Sequence, residues 1–333
     1  MSSIASRSVL VTGGAGYIGS HFVALLRDLA VPYVVIDNLS RSSGEFVDAA
    51  RFVKADIADR DAVLDVCRRF GVTDAVHFAA YAYVGESVSD PALYYFNNVV
   101  KTYHFVSALR EAAVNRLVFS STCATFGVPP NGERITEATD QRPINPYGAT
   151  KLVIERMLRD FSGAYRMRVA FLRYFNAAGS SEKHALYESH DPETHAIPLA
   201  ISAALGGKEF TVFGNDFDTP DGTCVRDFIH VDDLASAHIL ASDYLRQNEG
   251  VLALNLGTGR GSSVQDLLNS AARVTGRPVP HRIGARREGD PPILVADPSR
   301  AHEILGWSAR YQHLDEIVRT ALLGAQRAVT AKV

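Results

Sequence analysis

Three cysteines in 333 residues, Cys67, Cys123 and Cys224, are too few and too scattered for a disulfide framework, and none shares a C-x-x-C spacing. A reducing, cytoplasmic location fits that usage. An excess of one charge is also lacking. With 34 basic and 37 acidic residues the net charge is −3, which gives no general attraction to nucleic acid or anionic lipid. The N-terminal "MSSIASRSVLVTGG" has no long apolar run, so a signal peptide or membrane span is not expected. Low-complexity stretches and solenoid-period repeats are missing as well. What remains is an ordinary globular mix, 47% hydrophobic and 21% charged, long enough for one large or two smaller domains.

The first informative stretch is "SVLVTGGAGYIGSHFVALLRDLA". A short apolar run leads into Gly13, Gly16 and Gly19, and Ile18, Phe22, Leu25, Leu26 and Leu29 then recur at helical intervals. Such a strand–turn–helix lets the backbone approach a pyrophosphate at the helix N-terminus, where N–H groups point outward. The pattern is G-x-x-G-x-x-G, looser than the strict dinucleotide fingerprint. A second apolar run, "YVVID", ends at Asp37, eighteen residues after Gly19. A carboxylate there accepts hydrogen bonds from ribose hydroxyls and repels a 2′-phosphate, which favours NAD. Arg41, four residues on, keeps NADP open, and a turn-forming Asp before Asn38 is the local alternative.

Further runs, "RFVKADI", "AVHFAA", "RLVFSST" and "RVAFLRYFN", alternate with helical segments at 61–70, 91–113 and 147–162. This alternation predicts an α/β fold, a Rossmann-type doubly wound parallel sheet with ligands at the C-terminal ends of its strands. Asp37, Asp56, Phe78, Thr122 and Asn176 all fall at such ends. In "INPYGATK", Tyr147 and Lys151 stand four apart, on one helix face. A lysine ammonium there favours the phenolate, and a tyrosine so tuned can take a proton from an alcohol. On its own the same spacing also describes a surface Tyr and a solvated Lys.

The blocks "VTGGAGYIGSH", "DNLS", "HFAAYAYVGESVSDPALYY", "FSSTCATFG", "NPYGATK", "LRYFNAAG", "DGTCVRDFIHVDDLA" and "RREGD" run in order from residue 8 to about 300. Together they resemble the extended short-chain dehydrogenase/reductase family, and within it the UDP-glucose (UDP-galactose) 4-epimerases. The resemblance implies catalytic roles for Thr122, Tyr147 and Lys151. It puts Gly13, Gly16, Tyr17, Ile18 and Gly19 at an NAD pyrophosphate, Asp37 with Asn38 at the adenosine ribose, and Asp56 with Ile57 at the adenine. Phe78, Ala79, Ala80 and Asn97 would line the cofactor cleft beside Tyr147 and Lys151, with Phe175 near the nicotinamide. Asn176, His195, Phe213, Arg226, Arg287 and Asp290 would hold the nucleotide sugar, Thr122 would touch the sugar, and Leu294 would close the pocket around carbon 2. Arginines suit a diphosphate and a carboxylate suits a ribose diol. For Arg226 the surface alternative is an ion pair with its neighbour Asp227.

This chain departs from the family pattern at three positions: Thr122 where Ser is usual, Ala82 where some members carry Lys, and His195 where some carry Asn. The implied reaction inverts carbon 4 of a UDP-sugar through a 4-keto intermediate, with glucose/galactose first and N-acetylhexosamine or arabinose/xylose sugars as alternatives. A 4,6-dehydratase needs an Asp–Glu pair after the active-site Thr, and Cys123 and Ala124 stand there instead. An ordinary NAD(P)H reductase and a non-catalytic NAD-sensing regulator are the remaining readings. His77 reads as a core histidine. His184, His190 and His195, in "SEKHALYESHDPETH", are too irregularly spaced to predict a metal, so none is expected. The expected division is a dinucleotide domain over 1–178 and a smaller C-terminal substrate-binding lobe over 179–333, with about 226–245 returning to the first. Helices 91–113 and 147–162 are apolar beyond one stripe, and the family pairs them in a homodimer.

Overall fold

The computed structural model describes residues 7–129, 133–188, 190, 192–287 and 290–330. The apolar runs become strands and the periodic stretches helices. β1 (Val9–Thr12) leads into α1 (Tyr17–Asp28), β2 (Tyr33–Asp37), β3 (Phe52–Lys54), α2 (Arg60–Arg69) and β4 (Asp74–His77). α3 (Val84–Ser89) and α4 (Pro91–Tyr94) pass through a π-helical turn, Tyr95–Val100, into α5 (Lys101–Glu111). β5 (Arg116–Thr122), α6 (Pro146–Tyr165), β6 (Arg168–Tyr174) and β7 (Asn176–Ala178) follow. The chain continues through α7 (Ala196–Ala204), β8 (Phe210–Phe213), β9 (Val225–Arg226), β10 (Phe228–His230), α8 (Val231–Gln247) and β11 (Val251–Leu256). It ends with β12 (Ser262–Ser263), α9 (Val264–Thr275), β13 (His281–Gly284), β14 (Ile293–Leu294), α10 (Ser299–Leu305) and α11 (Leu314–Thr330).

Seven strands form one sheet in the order β11-β6-β5-β4-β1-β2-β3, and the pairs from β3 through β2, β1 and β4 to β5 are parallel. This is the doubly wound, Rossmann-type sheet expected from the alternation of strands and helices. Leu10, Val34, Ile36, Phe119 and Phe171 from its strands pack with Phe105 and Leu109 of α5 and Ile154 and Leu158 of α6. Burial on both faces explains why these strands read as unbroken apolar runs. Among the described residues no helix is long and apolar enough to cross a membrane.

The backbone divides into two compact units, each assembled from separated stretches. The first comprises 1–125, 143–173 and 235–254, and the second 126–142, 174–234 and 255–333. The sequence suggests a break at 178 and a return over 226–245; in the structure the break follows Arg173 and the return covers 235–254. The second unit has its own core, in which Ile197 and Ile201 of α7 meet Leu267 and Leu268 of α9 and Ile317 and Val318 of α11.

Candidate functional site

In the first unit, β1 turns into α1 through Gly13, whose φ is +70°. A Cβ at Gly13 would stand 2.5 Å from the Ala79 nitrogen, and one at Gly19 would stand 2.2 Å from the Gly13 carbonyl oxygen. Only glycine lets β4's continuation and α1 close on this turn so tightly. Gly16 caps α1 without a side-chain hydrogen bond, and no acid occupies the first helical turn. The N-terminal dipole and N–H groups of α1 are therefore suited to a phosphate. Asp37 accepts hydrogen bonds from Ala15 N (3.1 Å) and Leu39 N (2.8 Å), which hold its carboxylate beside the turn. Burial pushes that carboxyl above the ordinary aspartate range, and the Leu39 and Ala15 amides oppose the shift. Asp56 accepts from Asn38 Nδ2 (3.0 Å) and Lys101 Nζ (2.6 Å). Arg41 donates to Glu86 at 2.6 Å and lies 4.6 Å from the Tyr81 ring centre, so its charge is balanced locally. These residues fit a dinucleotide with an unphosphorylated ribose.

At the next strand end, β5 finishes at Thr122, and Cys123–Thr125 makes a tight helical turn. Thr122 Oγ1 accepts from Ala124 N at 3.1 Å, and Thr125 Oγ1 donates to Thr122 O at 3.0 Å. Asn145 then caps α6 by accepting from Gly148 N at 2.8 Å, and Pro146 occupies the first helical position. Asn-Pro thus starts the helix one residue before Tyr147. A Cβ at Gly148 would stand 2.3 Å from the Ala124 carbonyl oxygen, so glycine permits α6 to abut the turn after Thr122. Tyr147 and Lys151 are both buried, the lysine 3% exposed. Lys151 Nζ donates to Ser120 O at 2.9 Å and lies 4.8 Å from the Phe119 ring centre and 6.0 Å from that of Tyr147. A solvated lysine is thereby excluded. Burial lowers its pKa to about 7, and the Glu155 carboxylate acts in the opposite direction.

The residues expected at the sugar nucleotide lie in the second unit. β14 pairs with β9, setting Leu294 opposite Arg226. Arg226 donates to Asp290 at 2.5 Å and to the carbonyls of Val225 and Pro291, each at 2.8 Å. Its ion pair is therefore with Asp290, not Asp227. Asp227 faces the other way and accepts from Thr258 and from Gly259 N and Ala296 N. The Arg287 guanidinium stacks 3.8 Å over Phe213, at the end of β8. Glu288 and Gly289 of "RREGD" lie outside the described residues. Asn176 begins β7 and donates its N–H to Asp227 O at 3.0 Å. His195, just before α7, turns Nδ1 to Glu188 and Glu193, each at 2.8 Å.

Residues 9–257 match the model of the NAD dependent epimerase/dehydratase family. The chain belongs to that family. The epimerase/dehydratase family assignment agrees with individual relatives. A UDP-glucose 4-epimerase of Rhizobium leguminosarum bv. trifolii is 48% identical over 96% of this chain and 97% of its own length. The crystal structure of UDP-glucose 4-epimerase from Brucella ovis in complex with NAD is 50% identical, with a TM-score of 0.92, over 95% of this chain and 97% of that one. A UDP-glucose-4-epimerase from Stenotrophomonas maltophila with bound NAD and formylated UDP-arabinopyranose is 38% identical, with a TM-score of 0.93, over 98% and 100%.

Around Tyr147 and Lys151 the structure adds residues that sequence reasoning missed. Glu155, 1% exposed, accepts from Ser121 Oγ at 2.6 Å and from Arg173 Nε and Nη2 at 2.9 and 2.6 Å. Two consecutive residues of β5 therefore serve α6, Ser120 binding Lys151 and Ser121 binding Glu155, and the buried Thr122 follows them at the strand end. Buried Asn98, in the π-helical turn, bonds Tyr81 N and O and Thr150 Oγ1, tying the segment after β4 to α6. The spacing of Glu155 four residues after Lys151 was the available signal. His77 is the core histidine expected, between Thr12 Oγ1 (2.6 Å) and Thr102 Oγ1 (2.9 Å).

Proposed function

We propose that the chain is a UDP-glucose 4-epimerase, interconverting UDP-glucose and UDP-galactose. The observation that carries this reading is the end of β5. Thr122 ends that strand, and Lys151, four residues after Tyr147, donates to Ser120 O two residues before Thr122, while Cys123 and Ala124 occupy the turn in which a dehydratase would need its acid pair. NAD, held by the Gly13–Gly19 turn, Asp37 and Lys151, supplies a reversible two-electron acceptor for sugar carbon 4.

The protein's own part is proton transfer and positioning. The Lys151 ammonium favours the phenolate of Tyr147. Tyr147 takes the proton of the 4′-hydroxyl as carbon 4′ becomes a ketone and returns it to the same oxygen after the sugar has turned over. Thr122 hydrogen-bonds that oxygen. Arg226 and Arg287 hold the diphosphate, with Asp290 orienting Arg226. Phe213, already stacked on Arg287, offers its ring to the nucleotide. Leu294, opposite Arg226 on the β9–β14 ladder, borders the sugar.

The same reading makes the protein a cytoplasmic homodimer. On the first unit Phe96 is 59% exposed and Tyr103 49%, and Val100 and Val153 are exposed beside them. A second copy of this face covers such a patch with the matching α5 and α6. Light scattering should give twice the 36.2 kDa chain mass.

The deciding experiment is turnover of UDP-galactose by purified protein without added NAD, run beside UDP-N-acetylgalactosamine and UDP-arabinose, with released nucleotide assayed after acid. UDP-glucose formation on copurified NAD is expected. Protein that carries no nucleotide and needs added NADPH is a reductase.

A further inference from the structure

Glu188, His190, Glu193 and His195 offer four ligating atoms that all lie within 4.8 Å of one another. From this convergence we infer a structural divalent-cation site of the zinc class in the segment leading into α7. The side chain of Glu188 is 7% exposed, and its Oε1 lies 3.0 Å from His190 Nδ1 and 2.8 Å from His195 Nδ1. Glu193 Oε2 lies 3.8 Å from the same His190 nitrogen. Donors around a tetrahedral zinc ion stand roughly 3.3–3.4 Å apart, about 1.6 times the bond length of about 2.0–2.1 Å. The observed separations bracket that spacing.

The surroundings already orient the donors. Glu193 Oε1 accepts from Thr194 N (2.7 Å) and His195 N (2.8 Å), which fixes the carboxylate and leaves Oε2 for a ligand. Backbone support of this kind is what sets a ligating side chain in place. The two imidazole rings have centroids 4.8 Å apart. Two imidazoles and two carboxylates match the charge of such an ion and suit zinc better than the all-oxygen shell that magnesium and calcium take. Four protein donors close a tetrahedral shell and leave no position for water or substrate, so the ion's role is to staple the loop to α7 and not to act in catalysis. The spacing, Glu-x-His-x-x-Glu-x-His, keeps all donors within eight residues, which makes the loop cheap to close.

The test uses the untagged full chain, incubated with zinc chloride, desalted, and assayed for metal by plasma emission. About one zinc per chain is expected. Glu188→Gln and His190→Ala should each retain at least about tenfold less zinc, the scale of loss for a perturbed metal shell. His281→Ala, on β13, should retain it. Cobalt(II) in place of zinc should give the visible bands of a tetrahedral site in the parent and not in His190→Ala. If Glu188→Gln does not fold by circular dichroism, Glu193→Gln takes its place. Parent protein holding no more zinc than His190→Ala, or a loss in His281→Ala equal to that in the cluster variants, overturns the site.

Discussion

One methyl group at Gly148 tests how closely α6 must approach the end of β5. In Gly148→Ala the new Cβ would start 2.3 Å from the Ala124 carbonyl oxygen and 2.8 Å from its carbon, with Pro143 Cβ at 3.2 Å. Two of these atoms are backbone, so no side chain can swing aside. Restoring ordinary contact requires α6 to withdraw by about 1 Å, and overpacking of this kind costs about 1–3 kcal/mol. The movement separates Tyr147, just before Gly148, from Thr122, just before the turn. A displacement of about 1 Å in a positioned group costs roughly 10²-fold in rate. The loss should fall on kcat, because the diphosphate contacts are carried by other residues. The assay is initial-rate conversion of UDP-galactose, coupled to oxidation of UDP-glucose, beside a thermal melt of the same preparation. A kcat about 10²-fold lower, KM close to the parent and a lower Tm are expected. A variant with parental kcat and Tm would show that the contact between α6 and this turn does not position the chemistry.

Three further outcomes follow from the same site. Tyr147→Phe should lower kcat by at least about 10²-fold, the scale for losing a general base, while calorimetry shows UDP still bound. Glu155→Gln removes a carboxylate that favours the charged form of Lys151, so the alkaline limb of the kcat/KM profile should move to lower pH. The sign follows from Lys151 itself: its pKa is already near 7, losing the anion lowers it further, and the ammonium disappears at a lower pH. Because Arg173 would be left buried without its partner, the profile is measured in Glu155→Gln/Arg173→Met as well, and an unmoved limb in both removes Glu155 from the argument. At Leu294, Ser should narrow and Tyr widen the preference for UDP-galactose over UDP-N-acetylgalactosamine, which crowding of about 1–3 kcal/mol sets at roughly 5- to 150-fold; a constant kcat/KM ratio across the series excludes Leu294 from the sugar pocket.

The parts of the molecule legible in its sequence are those written in local pattern. β1, β2, β5 and β6 are buried on both faces and read as apolar runs, and the Asn145-Pro146 cap marks the start of α6. The pairings that depend on tertiary structure were not. Arg226 and Asp227 are sequence neighbours, but Arg226 ends β9 and Asp227 lies between β9 and β10, and the one pairs with Asp290 while the other accepts from Thr258 and Ala296. Glu155 on a helical pattern looks like a solvated acid, and its partner Arg173 sits on the next strand. No metal was expected at the histidines of "ESHDPETH", and the approach of Glu188, His190, Glu193 and His195 to one another depends on tertiary structure that their spacing does not encode.

The position of β11 at one edge of the sheet gives the order of synthesis a physical meaning. β6 is complete once residue 174 is made, but the strand that pairs with its outer side ends at Leu256. At roughly 5–20 residues per second, that interval lasts roughly 4–16 s. Throughout it the growing chain carries "VAFL", Val169–Leu172, fully buried in the finished protein, on a strand without its neighbour. An open apolar edge of this kind is the form of strand that pairs with other chains. The nascent protein is therefore most vulnerable to aggregation between the completion of β6 and the arrival of β11, a window that no mutation at the active site would lengthen or shorten.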